Sequence, residues 1–169
     1  MQTKVPPVLV LMGVSGSGKS TLGKLLSSLS GWPFYDGDDF HPPANVEKMR
    51  QGIPLTDEDR RPWLIALRGR MQRSRAAAEG CIIACSALKQ SYRDLLSEGN
   101  EGICWVWLKG DAETLRQRME ARSGHFMPPG LLQSQLAALE APLDALVADI
   151  TEPPEKIARM ILESITPPA

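Results

Sequence analysis

Residues 13–20 read Gly-Val-Ser-Gly-Ser-Gly-Lys-Ser: a glycine, four residues, then Gly-Lys-Ser. That spacing suits one chemistry, the cradling of a polyphosphate by main-chain amides. Gly13, Gly16 and Gly18 tolerate positive φ and have no Cβ, so the backbone can wrap closely round an anion. The N–H groups of the loop, carried also by Val14, Ser15 and Ser17, point at the phosphates together with the N-terminus of the helix that begins near Thr21. Lys19 is placed to reach the β- and γ-phosphates of ATP, and the Ser20 hydroxyl to ligate Mg²⁺.

A second set of chemical groups lies at residues 36–42, Asp-Gly-Asp-Asp-Phe-His-Pro. Phosphoryl transfer uses Mg²⁺ and benefits from a base for the acceptor's hydroxyl proton. Asp38 is assigned to that hydroxyl. Asp36 is assigned to Mg²⁺ through water, because Mg²⁺ keeps several of its waters. Two residues apart on an extended chain, these carboxylates would face opposite sides; Gly37 between them is expected to turn both inward. The second metal-binding Asp that ends a strand in many phosphate-loop enzymes is not evident, since the third apolar run ends in Cys85-Ser86. This departure favours small-molecule kinases over motor or switch ATPases.

Positioning these groups requires strands and helices in alternation. Short apolar runs at 8–12, 33–36, 81–85, 103–108 and 145–150 predict strands. Helices are expected after the phosphate loop and at 45–50, 57–79, 90–98, 112–122, 131–139 and 154–165, with Pro62 in the first turn of the long one and Asp111 as an N-cap. Arg68, Arg70, Arg73 and Arg75 read as a solvated face of that long helix. The alternation predicts an α/β fold: one domain over 1–169, built on a five-stranded parallel sheet with helices on both faces. Ligands then belong at the carboxyl ends of the strands.

Composition bounds the partners. The 169 residues carry 43% hydrophobic and 23% charged side chains and a net charge of −1. Such a balance offers no basic field for non-specific nucleic-acid binding. The apolar runs are too short to cross a bilayer, and residues 1–7 run into the first strand without the form of a cleavable leader. The three cysteines, Cys81, Cys85 and Cys104, sit in or beside apolar runs and read as reduced thiols of a cytoplasmic protein.

With these features in place, the chain resembles the gluconate kinases (gluconokinases) of the small phosphate-loop type along nearly its whole length. The marks are the loop at 13–20, Asp36-Gly37-Asp38 with His41-Pro42, and Asn45, Lys48 and Met49. Gly52, Pro54-Leu55, Asp57, Asp59-Arg60 and Pro62-Trp63-Leu64 follow in order. Further on come Cys85-Ser86-Ala87-Leu88-Lys89, Tyr92-Arg93-Asp94, and Arg122 with Gly124-His125-Phe126-Met127. One departure is a short segment at 140–145, placed near the adenine site or a dimer contact.

The resemblance implies a nucleoside/shikimate-kinase-like fold and the reaction of ATP with D-gluconate to give ADP and 6-phospho-D-gluconate, with Mg²⁺. It also implies a cytoplasmic homodimer with a lid. A sugar acid needs cations and hydrogen-bonding groups near the acidic strand end. His41, Lys48, Arg60, Lys89 and Arg93 are the candidates, Arg60 first for the carboxylate, within a substrate segment at about 38–64. The lid is placed at about 118–135. Arg118 and Arg122, four apart on one helix face, lead into it, Arg118 for phosphate and Arg122 for adenine or phosphate. His125 either contacts the sugar acid or caps the loop. Shikimate kinases share the phosphate loop and paired aspartates, but Ser86-Ala87-Leu88 stands where their glycine-rich triplet is expected.

Overall fold

Residues 8–12 alternate between the two faces of the central strand, and all five are fully buried: Val8, Val10 and Met12 on one side, Leu9 and Leu11 on the other. Burial on both faces is what a parallel sheet covered by helices demands. The computed structural model describes residues 7–121 and 129–165. It places β1 (Val8–Met12), β2 (Phe34–Asp36), β3 (Cys81–Ala84), β4 (Ile103–Lys109) and β5 (Leu146–Asp149) in one parallel sheet of order β2-β3-β1-β4-β5.

On one face, α1 (Lys19–Ser30) and α7 (Pro154–Ile165) pack Leu22, Leu26, Ile157 and Ile161 against Leu9, Leu11 and Ile82. On the other, α3 (Asp57–Ala76) and α4 (Gln90–Ser97) pack Trp63, Leu64, Leu67 and Leu96 against Val8, Val10 and Ile83. The remaining helices are α2 (Pro43–Arg50), α5 (Ala112–Ala121) and α6 (Pro129–Ala138). From β1 the chain moves to one edge, returns through β3, and then crosses to the other side through β4 and β5. The winding direction reverses about β1, so a crevice opens at its carboxyl end.

Three local expectations change. Thr56 and Asp59 form a reciprocal capping box, Asp59 N–H to Thr56 Oγ1 at 3.1 Å and Thr56 N–H to Asp59 Oδ2 at 2.9 Å, so α3 starts at Asp57 and Pro62 falls in its second turn. The helix ends at Ala76 rather than three residues later, because Ala78 adopts φ 55°. The arginine face is not wholly solvated: Arg68 pairs with Glu98, and the Arg70 guanidinium lies 4.8 Å from the centre of the Tyr35 ring.

Candidate active site

The loop between β1 and α1 has the backbone that its glycines allow. Gly16 takes φ 84°, and a Cβ there would meet Met119 Cγ at 2.8 Å. Gly18 takes φ 93° and caps α1. Lys19 Nζ donates to the carbonyls of Gly13 at 2.9 Å and Val14 at 3.0 Å, which lays the ammonium along the loop. Beside the loop is a cavity of about 240 Å³, lined among others by Gly16, Gly18, Thr21, Arg118, Ile150 and Pro154. Arg118 donates to the Ile150 carbonyl and lies 3.8 Å from where a Cβ on Gly18 would be, so its guanidinium spans cavity and phosphate loop. Arg122 and His125 lie outside the described residues.

At the end of β2, Asp36 joins the two chemical sets. Its Oδ2 accepts from Ser20 Oγ at 3.0 Å, and its Oδ1 accepts from the Asp38 N–H at 3.0 Å. That second bond makes Asp36 the N-cap of a 3₁₀ turn, Gly37–Phe40. The turn, not a left-handed Gly37, swings Asp36 and Asp38 to one side. Gly37 is needed for closeness instead: a Cβ there would sit 2.3 Å from the Ala84 carbonyl oxygen of β3. The Asp38 side chain is open to solvent at the cleft. Crowding by packed atoms, then the Asp36 charge, raise its pKa above the ordinary 3.8, against the pull of Lys19. Asp36 and Lys19 are thus both near enough to act on this carboxylate through their charge.

The segment that follows is tied down by its own polar groups. Asn45 donates to the Asp59 carbonyl at 2.8 Å, and the same amide nitrogen lies 3.3 Å from His41 Nδ1. An amide NH₂ only donates, so His41 Nδ1 accepts. Burial and then the Arg60 charge lower the His41 pKa to about 4, and the ring is neutral at pH 7. His41 stacks on Trp63, ring centres 4.2 Å apart.

The candidate cations are engaged by neighbours. Lys48 pairs with Asp59 at 2.9 Å, and Lys89 with Asp57 at 3.2 Å. Arg60 donates to the Leu55 carbonyl at 2.8 Å and Tyr92 Oη at 3.1 Å, and Tyr92 donates to Asp57. Arg60, Lys89, Tyr92 and Asp57 therefore form one cluster.

Arg93 is a correction. It is 3% exposed, and its guanidinium makes five hydrogen bonds: to the carbonyls of Ala87, Leu88 and Glu140, and twice to Gln90 Oε1. Five is all the N–H donors that a guanidinium has. Arg93 clasps the turn after β3, where Ala87 is held at φ 44°, and has no donor left for a sugar acid. Through Glu140, whose N–H also donates to the Leu88 carbonyl at 2.8 Å, the segment at 140–145 is tied to this turn and not to the cavity beside the phosphate loop.

Two residues that matter here escape a reading of motifs. Trp63 reads as core and is 2% exposed, yet its Nε1 donates to the Gly37 carbonyl at 2.7 Å, fastening the turn that carries Asp38. Its place in Pro62-Trp63-Leu64 was the available signal. Gln135 of α6 bonds Ser15 through both ends of its carboxamide, at 2.7 and 3.0 Å. Nothing in its local sequence marks it.

The oxygens of Ser20 and Asp36 suit a hard cation such as Mg²⁺. Among the described residues no three His, Cys, Asp or Glu side chains converge as a cage. A site of one hydroxyl and one carboxylate fits an ion that takes its other ligands from water and phosphate.

The chain matches the family model for shikimate kinase over residues 15–166. It is 50% identical over 133 residues to the thermosensitive gluconokinase of Escherichia coli (strain K12), covering 79% of this chain and 71% of that protein. It is 43% identical over 162 residues to the thermoresistant gluconokinase of the same strain, covering 94% and 93% of the two chains. The crystal structure of a gluconokinase from Sinorhizobium meliloti 1021 superposes with a TM-score of 0.82 at 46% identity, over 92% of this chain and 89% of that one.

Proposed function

We propose, for a chain that belongs to the gluconokinases within the shikimate-kinase-like phosphate-loop kinases, that it transfers the γ-phosphoryl group of ATP to D-gluconate to give ADP and 6-phospho-D-gluconate. The observation that carries this reading is Asp36, bonded at 3.0 Å to Ser20 of the phosphate loop and at 3.0 Å to the main chain of Asp38. It unites a phosphate-holding loop and an acceptor-side carboxylate in one site.

Asp38 takes the proton of the attacking hydroxyl as the new O–P bond forms and the bond to ADP breaks. Its raised pKa makes it a stronger base than an ordinary carboxylate. Lys19 and Arg118, with Arg122, face the charge on the phosphoryl oxygens. Ser20, and Asp36 through water, would hold Mg²⁺, which would supply positive charge against the phosphates. Arg60 and Lys89 receive the carboxylate of the sugar acid, Arg60 through its planar fork. His41, neutral and accepting at Nδ1, keeps an Nε2–H for a hydroxyl, and Lys48 and His125 complete the set.

One domain carries all of this, with a substrate segment at about 38–64 and a lid at about 118–135. The enzyme works as a cytoplasmic homodimer, its product entering the pentose phosphate and Entner–Doudoroff routes. The cysteines are unpaired, as reduced thiols are, and no described helix is long and apolar enough to cross a membrane.

The test measures ADP release with ATP, Mg²⁺ and a panel of gluconate, related aldonates, shikimate and nucleoside monophosphates. Release that depends on gluconate is expected. Release that depends on shikimate or a nucleotide, or on no acceptor at all, would refute the assignment.

A further inference from the structure

We propose that Gln135 is a positioning residue for phosphoryl transfer, orienting the Ser15 hydroxyl as a hydrogen-bond donor to a phosphoryl oxygen of the nucleotide. The inference rests on the kinase reading above. Ser15 lies within the phosphate loop, and Gln135 reaches it from α6, 120 residues along the chain. Gln135 Oε1 accepts the Ser15 N–H at 2.7 Å, and Gln135 Nε2 donates to Ser15 Oγ at 3.0 Å.

The direction of both bonds is dictated by chemistry. A main-chain N–H can only donate, so the carbonyl end of the carboxamide must face it, and the NH₂ end must face the hydroxyl. Ser15 Oγ therefore receives a hydrogen from Gln135 and retains its own to give. Among the described residues no acceptor takes that hydrogen. The preceding residue of the loop, Val14, accepts from Lys19 Nζ at 3.0 Å through its carbonyl, so Ser15 adjoins the stretch of loop along which the ammonium lies. Two contacts on one serine also hold its side-chain rotamer, so the donor is oriented before the nucleotide arrives.

The choice of amide over acid follows from the same logic. A glutamate of the same shape would accept from both the Ser15 N–H and the Ser15 O–H. It would turn the hydroxyl hydrogen away from the phosphate and set a negative charge beside an anion site. Gln135→Glu preserves volume and the main-chain bond while reversing the second contact.

The experiment compares wild type with Gln135→Glu, Gln135→Ala, Ser15→Ala and the double alanine variant, reading kcat, both KM values and Tm with ATP, Mg²⁺ and gluconate. Ser15→Ala and Gln135→Ala are each expected to lower kcat ~10-fold, the scale of one hydrogen bond to a charged group. The double variant should lose no more than either single one, because both remove one donor. Gln135→Glu should fall below Gln135→Ala, with KM for gluconate unmoved throughout. A purely structural contact would lower Tm and leave kcat intact. Wild-type kcat in Gln135→Glu, wild-type kcat in Ser15→Ala, or losses that multiply in the double variant would each overturn the assignment. Should Gln135→Ala not fold, the Glu and Ser15 variants still decide. Inactivity of the wild type on gluconate would sink the kinase reading itself, a separate result.

Discussion

The two sides of the cleft hold their cations differently. On the acceptor side Lys48 meets the Asp59 carboxylate at 2.9 Å, and Lys89 meets Asp57 at 3.2 Å, with Arg60 beside the same Asp57 at 3.9 Å. On the nucleotide side Lys19 donates to the carbonyls of Gly13 and Val14, and Arg118 to that of Ile150. A carbonyl oxygen carries a partial charge and a phosphate oxygen a full one, so a cation gains on moving from the first to the second. The nucleotide side is thus built for exchange. On the proposed acceptor side Asp57 and Asp59 already fix the geometry of Lys89, Arg60 and Lys48 by full charges.

The largest test of that contrast is at the junction. Asp38→Asn is expected to cut turnover at least ~10²-fold, the lower range for loss of a positioned base, while ATP binding stays near normal. The same group predicts a pH dependence. Asp38 must be ionised to act, so kcat falls as pH drops through a value above the ordinary 3.8, and this acid limb should vanish in the variant. Near-normal turnover in Asp38→Asn, by steady-state kinetics, would remove the acceptor-side role altogether.

A smaller effect should separate shape from contact. Arg93→Lys cannot serve the three carbonyls and the Gln90 oxygen that the guanidinium reaches in one plane. Leaving one or two buried acceptors unpaired costs about 2 kcal/mol or more, a fall in Tm of roughly 5 °C. KM for gluconate in the folded enzyme should not move. A selective rise in KM without thermal loss would return Arg93 to the substrate set.

The smallest effect concerns His41. Its folded pKa, about 4, lies below its ordinary 6.5, so the unfolded chain binds more protons between those values. Stability from this group is complete above pH 6.5 and declines as pH falls toward 4. Denaturant titrations at several pH values should show a decline that His41→Gln lessens, because that side chain has no proton to gain.

Much of this site was legible before any fold was known, and the reason is chain proximity. The phosphate loop, the Ser20 hydroxyl and the Asp36–Asp38 pair are each written within a few consecutive residues, where backbone geometry alone brings the groups together. Strand and helix order followed from apolar runs that both faces of a parallel sheet require. The misses share the opposite property. Arg93 looked like a substrate cation because its charge is visible and its four acceptors are not; three of them are the carbonyls of residues 87, 88 and 140. Gly37 suggested conformational freedom, whereas the constraint is the Ala84 carbonyl on a neighbouring strand.

By itself, then, the order of residues determined which atoms could cradle a phosphate, carry a metal and accept a proton, since those powers belong to side-chain chemistry and local backbone. Tertiary structure decided which groups were free to use them. It committed Arg93 to main-chain carbonyls, fastened the Asp38 turn to Trp63, and brought Gln135 to Ser15. Such choices depend on partners far away in sequence, and only packing can bring them within hydrogen-bond range.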